Sequence, residues 1–356
     1  MRISQRTILV AVLITILLTT VEGCTTLSFY TQAIVGQTSL LWQRKDIKLI
    51  IDDPATDEHT REKLELVVRV LAYAEHELSL PVDDAYSTYV ATGNPYIVWN
   101  VFAAPEFSLE MELSCYPIVG CVSYQGYFKE EGAQRFASGL RDQGRDVFVG
   151  GVAAYSTLGW FSDPVLDTFL VRSDINIARL LFHELAHRVV FVPGDTQFNE
   201  SFATAIEESS LQRWLADRQK QVEFEDYLDS KKRRSQVLML INTTRSKLAV
   251  NYASGENDDR RRVKKQQLID QMRVEYKLLK QSWEGEQDFQ YWMESDVNNA
   301  KLGTIADYNA WVPAFQQILM ENGNSLELFF AAVELLAAMD KQERDEYLGK
   351  KLELTL

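Results

Sequence analysis

Residues 181–187 read Leu-Phe-His-Glu-Leu-Ala-His, and this H-E-x-x-H stretch governs the interpretation of the whole chain. Side chains four residues apart on an α-helix lie on one face, so His183 and His187 are predicted to direct two imidazoles at one point. Zinc accepts such nitrogen ligands. Glu184 lies beside the pair, where we expect the catalytic base that takes a proton from water. The spacing predicts a metal-dependent hydrolase.

A third ligand is predicted a short distance downstream. The motif lies within a predicted helix over residues 174–190, and a second helix is predicted from residues 196–199 towards Ala216. The second helix carries Asn-Glu-Ser-Phe-Ala at residues 199–203, which places Glu200 thirteen residues after His187. Two neutral histidines and one carboxylate would hold a single Zn²⁺ ion and leave one coordination position open. The alternative, two structural histidines on an amphipathic helix, is disfavoured by this nearby glutamate.

Composition and charge limit the possible functions. The chain has 356 residues, a hydrophobic fraction of 46% and a formal net charge of −14. These values are typical of a folded protein with one large domain or two smaller ones. Nucleic-acid binding needs a basic surface to neutralise phosphates, so we do not expect a nucleic acid as a partner of this acidic chain.

The N-terminus predicts export and a lipid anchor. Two arginines precede an apolar run over residues 8–18, which is typical of a signal peptide, here residues 1–23, and is too short to span a bilayer. Gly23-Cys24 resembles the lipobox of bacterial lipoproteins, which implies diacylation of Cys24; an ordinary secreted signal is the alternative. We expect a periplasm-facing protein of the cell envelope attached to the membrane through this lipid. Thr25 after the cysteine favours the outer membrane over the inner one.

Two cysteines remain after lipidation. Cys115 and Cys121 flank a short segment that contains Pro117 and Gly120, which can turn the chain back on itself. A disulfide persists in an oxidising compartment, so this pair is predicted to be linked; two free thiols are the alternative.

The remaining pattern predicts an α+β fold that is predominantly helical. Further helices are expected over residues 62–78 and 128–143, and strands within 86–104 and 146–156. Charged helices follow Ala216, with a hairpin turn at residues 255–257 and a last amphipathic helix over 326–339. We divide the chain into a catalytic region, residues 24–216, and a helical region, residues 217–356, that packs on it.

The two motifs together resemble those of the gluzincin metallopeptidases, in which the glutamate of N-E-x-x-A is the third zinc ligand. A closer resemblance, over nearly all of the mature chain, is to bacterial predicted-aminopeptidase lipoproteins. It rests on the zinc segment and on residues 97–105, 120–124, 126–128, 151–161, 298–300 and 312–315. The resemblance implies a zincin-like core with a small sheet, one zinc ion and a peptide substrate.

Substrate contacts are predicted upstream of the zinc helix. The resemblance implies that substrate binds as an added strand along a sheet edge, here Gly150, Gly151, Val152 and Ala153, where the glycines allow close backbone approach. Tyr155 and Tyr308 are candidates for the donor that stabilises the oxyanion, with Tyr155 preferred and Tyr308 kept among the substrate-binding residues. A packed aromatic ring is the alternative for each tyrosine.

Three polar residues near the motif have open roles. Asn199 binds substrate or holds the loop before it. Asp195 and Glu207 are candidates for carboxylates that orient the imidazoles, with ordinary surface charge as the alternative.

Three functions remain open at this point. Aminopeptidase is preferred because of the resemblance, and endopeptidase uses the same chemistry. The third is a non-enzymatic, zinc-stabilised lipoprotein that binds envelope partners or assists assembly. Glu184 disfavours the third function, since a structural zinc site needs no base. The oligomeric state is left open.

Overall fold

The computed structural model describes residues 32, 35–36, 38–116, 120–152, 163–283, 289–305 and 309–353. Within these residues the chain is mainly helical with small sheets, in agreement with the predicted α+β class. The predicted signal peptide, Cys24, Ala153, Tyr155 and Tyr308 lie outside the described residues. The division of the chain at residue 216 stays a prediction.

The strands of the described part are short and form three separate sheets. They are, in chain order, β1 (Lys45–Asp46), β2 (Thr88–Val90), β3 (Val98–Pro105), β4 (Ser114–Tyr116), β5 (Gly120–Val122), β6 (Gln125–Tyr127), β7 (Arg145–Val152) and β8 (Val165–Leu166). One sheet has the order β1-β2-β8, a second has the order β6-β3-β7, and β4 pairs with β5. A disulfide joins Cys115 to Cys121 across the β4–β5 pair, as the sequence predicts.

Helices account for most of the rest. They are α1 (Ile47–Asp52), α2 (Glu58–His76), α3 (Glu130–Asp142), α4 (Asp167–Leu170), α5 (Asp174–Val189), α6 (Thr196–Ala216), α7 (Gln221–Tyr252), α8 (Asp258–Lys280), α9 (Gln290–Glu294), α10 (Asn299–Gly303), α11 (Val312–Glu321), α12 (Leu326–Ala337) and α13 (Lys341–Glu353). The predicted helices over 174–190 and 196–216 are confirmed. The prediction that the helix over 326–339 is the last one is wrong, because Asp340 accepts a hydrogen bond from the Glu343 amide and starts α13.

The sheet around β3 is antiparallel and packs on α3. Strand β3 pairs with β7 over eight residue pairs, from Val98 opposite Val152 to Pro105 opposite Arg145. Val101 and Val147 point to one face and form a small core with α3. Strands β2 and β3, predicted within one stretch of sequence, belong to different sheets, since β2 pairs with β1 and β8.

The main core is built around α6. Its buried residues come from α1, α2, α5 and α6 and continue into α11, α12 and α13. Helix α6 buries small and apolar side chains on several faces, which is expected of a central helix. The hairpin of α7 and α8 forms a second core with residues 293–302. The C-terminal helices α11–α13 therefore stabilise the motif-bearing helices, while the hairpin largely packs on itself.

The turn between α5 and α6 is held by specific hydrogen bonds. Gly194 has a φ of +80°, which an L side chain rarely adopts, and it allows the sharp turn. Asp195 then caps α6 by accepting a hydrogen bond from the Phe198 amide. The Asn199 side chain accepts from the Val192 amide and donates to the Val192 carbonyl, both at 2.8 Å. These contacts set the position of α6 against α5.

Across the described helices, none has both the length and the apolar character that crossing a lipid bilayer requires.

Candidate metal centre

Three potential metal ligands converge between α5 and α6. One nitrogen each of His183 and His187 and one carboxylate oxygen of Glu200 lie within 4.8 Å of one another. Glu200 Oε2 lies 3.2 Å from His183 Nε2, and Glu200 Oε1 lies 3.6 Å from His187 Nε2. The two imidazole centroids are 5.0 Å apart, with ring planes at 83°. The three residues predicted as ligands therefore form a group that could hold a metal ion.

The group is buried on one side and accessible on the other. His187 is only 6% exposed, whereas the Glu200 side chain is 36% exposed. Solvent can therefore reach the group from the side of Glu200. A site with an accessible edge is compatible with catalysis, whereas structural metal sites are usually closed.

The donor set fits a divalent ion. Two imidazole nitrogens and one carboxylate are the ligands that zinc and neighbouring transition metals prefer. His187 Nε2 lies 3.6 Å from Glu200 Oε1, which is too long for a good hydrogen bond. This nitrogen therefore has only a weak interaction in the structure. His187 Nδ1 is buried and has no hydrogen-bond partner within the described residues. An ion between the three side chains would engage Nε2 of His187.

Burial and the neighbouring carboxylates affect the two histidines in opposite ways. Burial opposes protonation of His183, but hydrogen bonds with Glu200 and Glu207 outweigh it and raise the pKa of this imidazole to about 10. Burial and then the charge of His183 lower the pKa of His187 to about 4. For Glu200, burial favours the neutral acid, yet the hydrogen bond with His183 holds its pKa below the ordinary value. A metal ion would compete with the His183 proton for the same position.

Glu207 makes the contact that its predicted role requires. It is 7% exposed and lies seven residues, or about two turns, after Glu200 on α6. Its Oε2 lies 3.2 Å from His183 Nδ1, which faces away from Glu200. A carboxylate in this position fixes the orientation and tautomer of a ligating histidine. Its role in orienting a metal ligand stays a prediction.

Sequence reasoning missed a residue on the far side of Glu207. Arg179 Nε donates to Glu207 Oε1 at 2.5 Å. The guanidinium carbon of Arg179 lies 4.7 Å from the centroid of the Tyr227 ring on α7. The available signal was spacing, because Arg179 precedes His183 by four residues on α5 and therefore shares its face. No local pattern pointed to Tyr227.

Asp195, the other predicted orienting carboxylate, contacts neither imidazole. It caps α6 and accepts from Arg344 Nη2 at 2.7 Å and from Lys341 Nζ at 3.3 Å, both from α13. Burial favours its neutral form, but the bonds from Arg344 outweigh this effect and lower its pKa. The prediction that Asp195 contacts an imidazole is not met. Asp195 forms an ion pair between the start of α6 and α13, because the start of α6 faces the C-terminal helix.

The predicted base lies next to a buried tyrosine. Glu184 is partly buried on α5. Burial, followed by the negative charges of Glu184 and Asp163, raises the pKa of Tyr86 well above its ordinary value, so this hydroxyl stays protonated. Tyr86 is 7% exposed, has a φ of +57° and donates its amide to the Asp163 carbonyl at 2.8 Å. Such a backbone conformation is unusual for an aromatic residue and gave no signal in the sequence.

The predicted substrate strand is described only in part. Gly150, Gly151 and Val152 form the end of β7. A Cβ at Gly151 would clash with the Tyr96 ring, so the close approach at this glycine is made by a tyrosine of the chain itself. Substrate binding by these residues stays a prediction.

The other residues predicted to bind substrate differ in what the structure shows of them. Asn199 is 2% exposed, and its side chain is hydrogen-bonded to the backbone of Val192. These contacts agree with a role in holding the loop before α6 rather than in binding substrate. Tyr308 lies outside the described residues. Among the described residues, Asn309 accepts a hydrogen bond from the Thr204 hydroxyl, one turn after Glu200 on α6.

The fold and the site define a mainly helical protein whose candidate metal centre lies between two consecutive helices. A profile of the family described as "Putative aminopeptidase" matches residues 28–348, which is most of the chain. The protein belongs to this family. No curated protein and no solved structure shows a significant match.

Proposed function

We propose that the protein is a zinc-dependent aminopeptidase of the gluzincin type, with a zincin-like core. In this proposal His183, His187 and Glu200 hold one Zn²⁺ ion. The convergence of their three ligand atoms within 4.8 Å carries the proposal. The family to which the chain belongs supports the aminopeptidase activity. Zinc with one open coordination position lowers the pKa of water and polarises a carbonyl.

Glu184 is the proposed catalytic base. It follows His183 directly, so its carboxylate lies beside the ligand pair and is displaced by about 100° around α5. We propose that it accepts a proton from the attacking water and returns it to the nitrogen of the leaving amine. The carbonyl oxygen of the substrate gains negative charge in this reaction and needs a donor. Tyr155 and Tyr308 are the proposed donors.

The negative charge around the site suits a substrate with a free amino group. Glu184, Glu200 and Glu207 already serve in this proposal as the base, a metal ligand and the partner of His183, so the amino group would pair with a further carboxylate of this acidic chain, whose formal net charge is −14. An aminopeptidase must bind the α-ammonium group of its substrate near the scissile bond, and a carboxylate is its natural partner. An endopeptidase has no such requirement.

The decisive experiment combines metal analysis with peptide hydrolysis. We expect the purified protein to contain about one zinc ion per chain. It should cleave peptides with a free N-terminus and spare the same peptides after N-acetylation. Glu184→Gln should retain the metal and lose roughly 10²–10⁴-fold in turnover, because it cannot accept a proton.

Several outcomes would contradict parts of the proposal. Equal cleavage of free and acetylated peptides would identify an endopeptidase. Unchanged turnover by the Glu184→Gln variant would remove the assigned base. Metal content without any hydrolysis would favour a zinc-stabilised binding protein. The variant Glu75→Gln, on the exposed surface of α2, serves as a control for the loss of one carboxylate.

We further propose that the protein is attached to the bacterial envelope through a diacylated Cys24 and faces the periplasm, in the outer membrane. The Gly23-Cys24 pair after a signal-like segment supports this location. Incorporation of labelled palmitate into the wild-type protein, and its absence from Cys24→Ala, would test the anchor. Membrane fractionation would test which membrane holds it.

A further inference from the structure

We infer that Arg179, held against Tyr227 of α7, is a positioning residue for the metal centre. It keeps Glu207 against His183 and thereby determines which imidazole nitrogen faces the ion. The inference deepens the proposed function and rests on it, because it takes His183 as a metal ligand.

The geometry forms a continuous chain of contacts. His183 Nδ1 lies 3.2 Å from Glu207 Oε2, and the second oxygen of the same carboxylate accepts from Arg179 Nε at 2.5 Å. Arg179 Nη1 also donates to Asn176 Oδ1 at 3.1 Å, one turn earlier on α5. Each oxygen of Glu207 therefore has its own partner. With one oxygen held by Arg179, the carboxylate cannot rotate without losing its contact to His183.

Because the Glu207 carboxylate is buried, its charge needs a partner within the protein. The side chain of Glu207 is 9% exposed, so solvent contributes little to stabilising its charge. Glu207 forms ion pairs with Arg179 and with His183. The adjacent Glu208 has separate partners, Lys231 and Gln316, each at 2.6 Å. The partners of Glu208 are therefore engaged elsewhere and do not substitute for Arg179.

Tyr227 connects this chain to the helical hairpin. It is 6% exposed and lies near the start of α7, with its ring 4.7 Å from the guanidinium of Arg179. A guanidinium stacked on an aromatic ring is restricted in its orientation and directs its donors accurately. Helix α7 therefore contributes to the metal centre through Tyr227, although the three candidate ligands all belong to α5 and α6.

The two candidate ligand histidines differ in this respect. His183 can donate from Nδ1 to Glu207, which leaves Nε2 free to bind a metal. His187 Nδ1 has no acceptor within the described residues. We therefore expect the Arg179–Glu207 pair to determine which nitrogen of His183 faces the metal, whereas the structure shows no corresponding partner for His187 among the described residues.

The inference is tested by the zinc affinity of the full-length protein in detergent, measured by competition with a chromophoric chelator. We expect Arg179→Met to bind zinc about 10–100-fold more weakly, the effect typical of losing a group behind a ligand. Arg179→Lys should lie between this variant and the wild type, because one donor remains. Tyr227→Leu should weaken binding, because the ring against Arg179 is lost. Tyr227→Phe should lie between this variant and the wild type, because the ring is retained while the hydrogen bond between the Tyr227 hydroxyl and Arg179 is lost.

Arg188→Met is the matched control. Arg188 lies on the same helix, directly after His187, and its side chain forms an ion pair with Asp83 at 2.9 Å rather than with Glu207. We expect its zinc affinity to equal that of the wild type. Thermal unfolding of the metal-free proteins reveals any general loss of stability. If Arg179→Met does not fold, Arg179→Lys and Tyr227→Leu provide the same comparison.

A spectroscopic readout separates positioning from stability. In the zinc-loaded wild type, the ¹⁵N shifts of His183 should show a protonated Nδ1 and a metal-bound Nε2, and zinc-loaded Arg179→Met should show a mixture of the two binding modes. Cobalt substitution should likewise give an altered absorption spectrum in this variant. Equal zinc affinity of the Arg179→Met and Arg188→Met proteins, or unchanged histidine shifts, would overturn the inference.

Failure of the proposed function has a different signature. A wild-type protein that binds zinc but cleaves no peptide would remove the peptidase proposal, while the affinity comparison still decides the role of Arg179. A wild-type protein that binds neither zinc nor cobalt would remove both.

Discussion

The cap and the middle of one helix, α6, contain two buried carboxylates that are each paired with an arginine but differ in their other contacts. Asp195 at the start of α6 is 4% exposed and Glu207 in its second half is 7% exposed. Each is paired with an arginine, Asp195 with Arg344 and Glu207 with Arg179. Only Glu207 also contacts a candidate metal ligand. Burial and ion pairing therefore do not identify a functional carboxylate, and its remaining contacts decide its role.

The difference arises from position around the helix. Glu207 follows Glu200 by about two turns, so both point towards α5 and its histidines. Asp195 precedes the first helical residue, and its side chain is used for the cap and for α13. We expect substitutions at the two positions to affect different properties, stability at Asp195 and metal binding at Glu207.

The largest effect is expected for Asp195→Ala. Removing one partner of a buried ion pair leaves the charge of Arg344, itself 3% exposed, without compensation. Such losses lower the free energy of unfolding by about 3–5 kcal/mol. Urea unfolding followed by circular dichroism measures the change. The zinc affinity of the folded variant should stay at the wild-type value, and a large loss of affinity would mean that the cap of α6 is coupled to the metal centre.

A smaller free-energy change, in metal binding, is expected for Glu207→Gln. The amide oxygen can still accept from one donor, but the charge that strengthens the contact with His183 is lost. Zinc affinity should fall about 10–100-fold, which corresponds to roughly 1.4–2.7 kcal/mol. Chelator competition measures this loss, with Asp195→Asn at the cap of α6 as the comparison. Equal affinities in these two variants would contradict the distinction between the carboxylates.

The smallest effect is expected in the pH dependence of stability. The pKa of Asp195 is lowered in the folded protein, because the hydrogen bonds of Arg344 outweigh the effect of burial. Its contribution is therefore fully present above the ordinary aspartate pKa of about 3.9 and is lost as the pH falls through the lower folded value. The difference in unfolding free energy between wild type and Asp195→Asn should shrink as the pH approaches about 3. A difference that grows on acidification would contradict the direction of this shift.

Local sequence predicted the helices of the site well. The apolar spacing placed α5 within one residue of its observed end, and the disulfide between Cys115 and Cys121 was also predicted. These features depend on neighbours in sequence, so a local pattern contains them. The pairing of β2 with β8 could not be predicted in the same way, because these strands are separated by more than seventy residues.

The sequence by itself determined that His183 and His187 share a helix face, because residues four apart lie on one side of any α-helix. It also determined that a glutamate follows on the next helix. Only the tertiary structure decided that Glu200 meets both histidines, that Glu207 rather than Asp195 contacts one of them, and that Tyr227 packs against Arg179. These contacts depend on how α5, α6, α7 and α13 pack together. Packing joins residues far apart in the chain, and no short stretch of sequence specifies it.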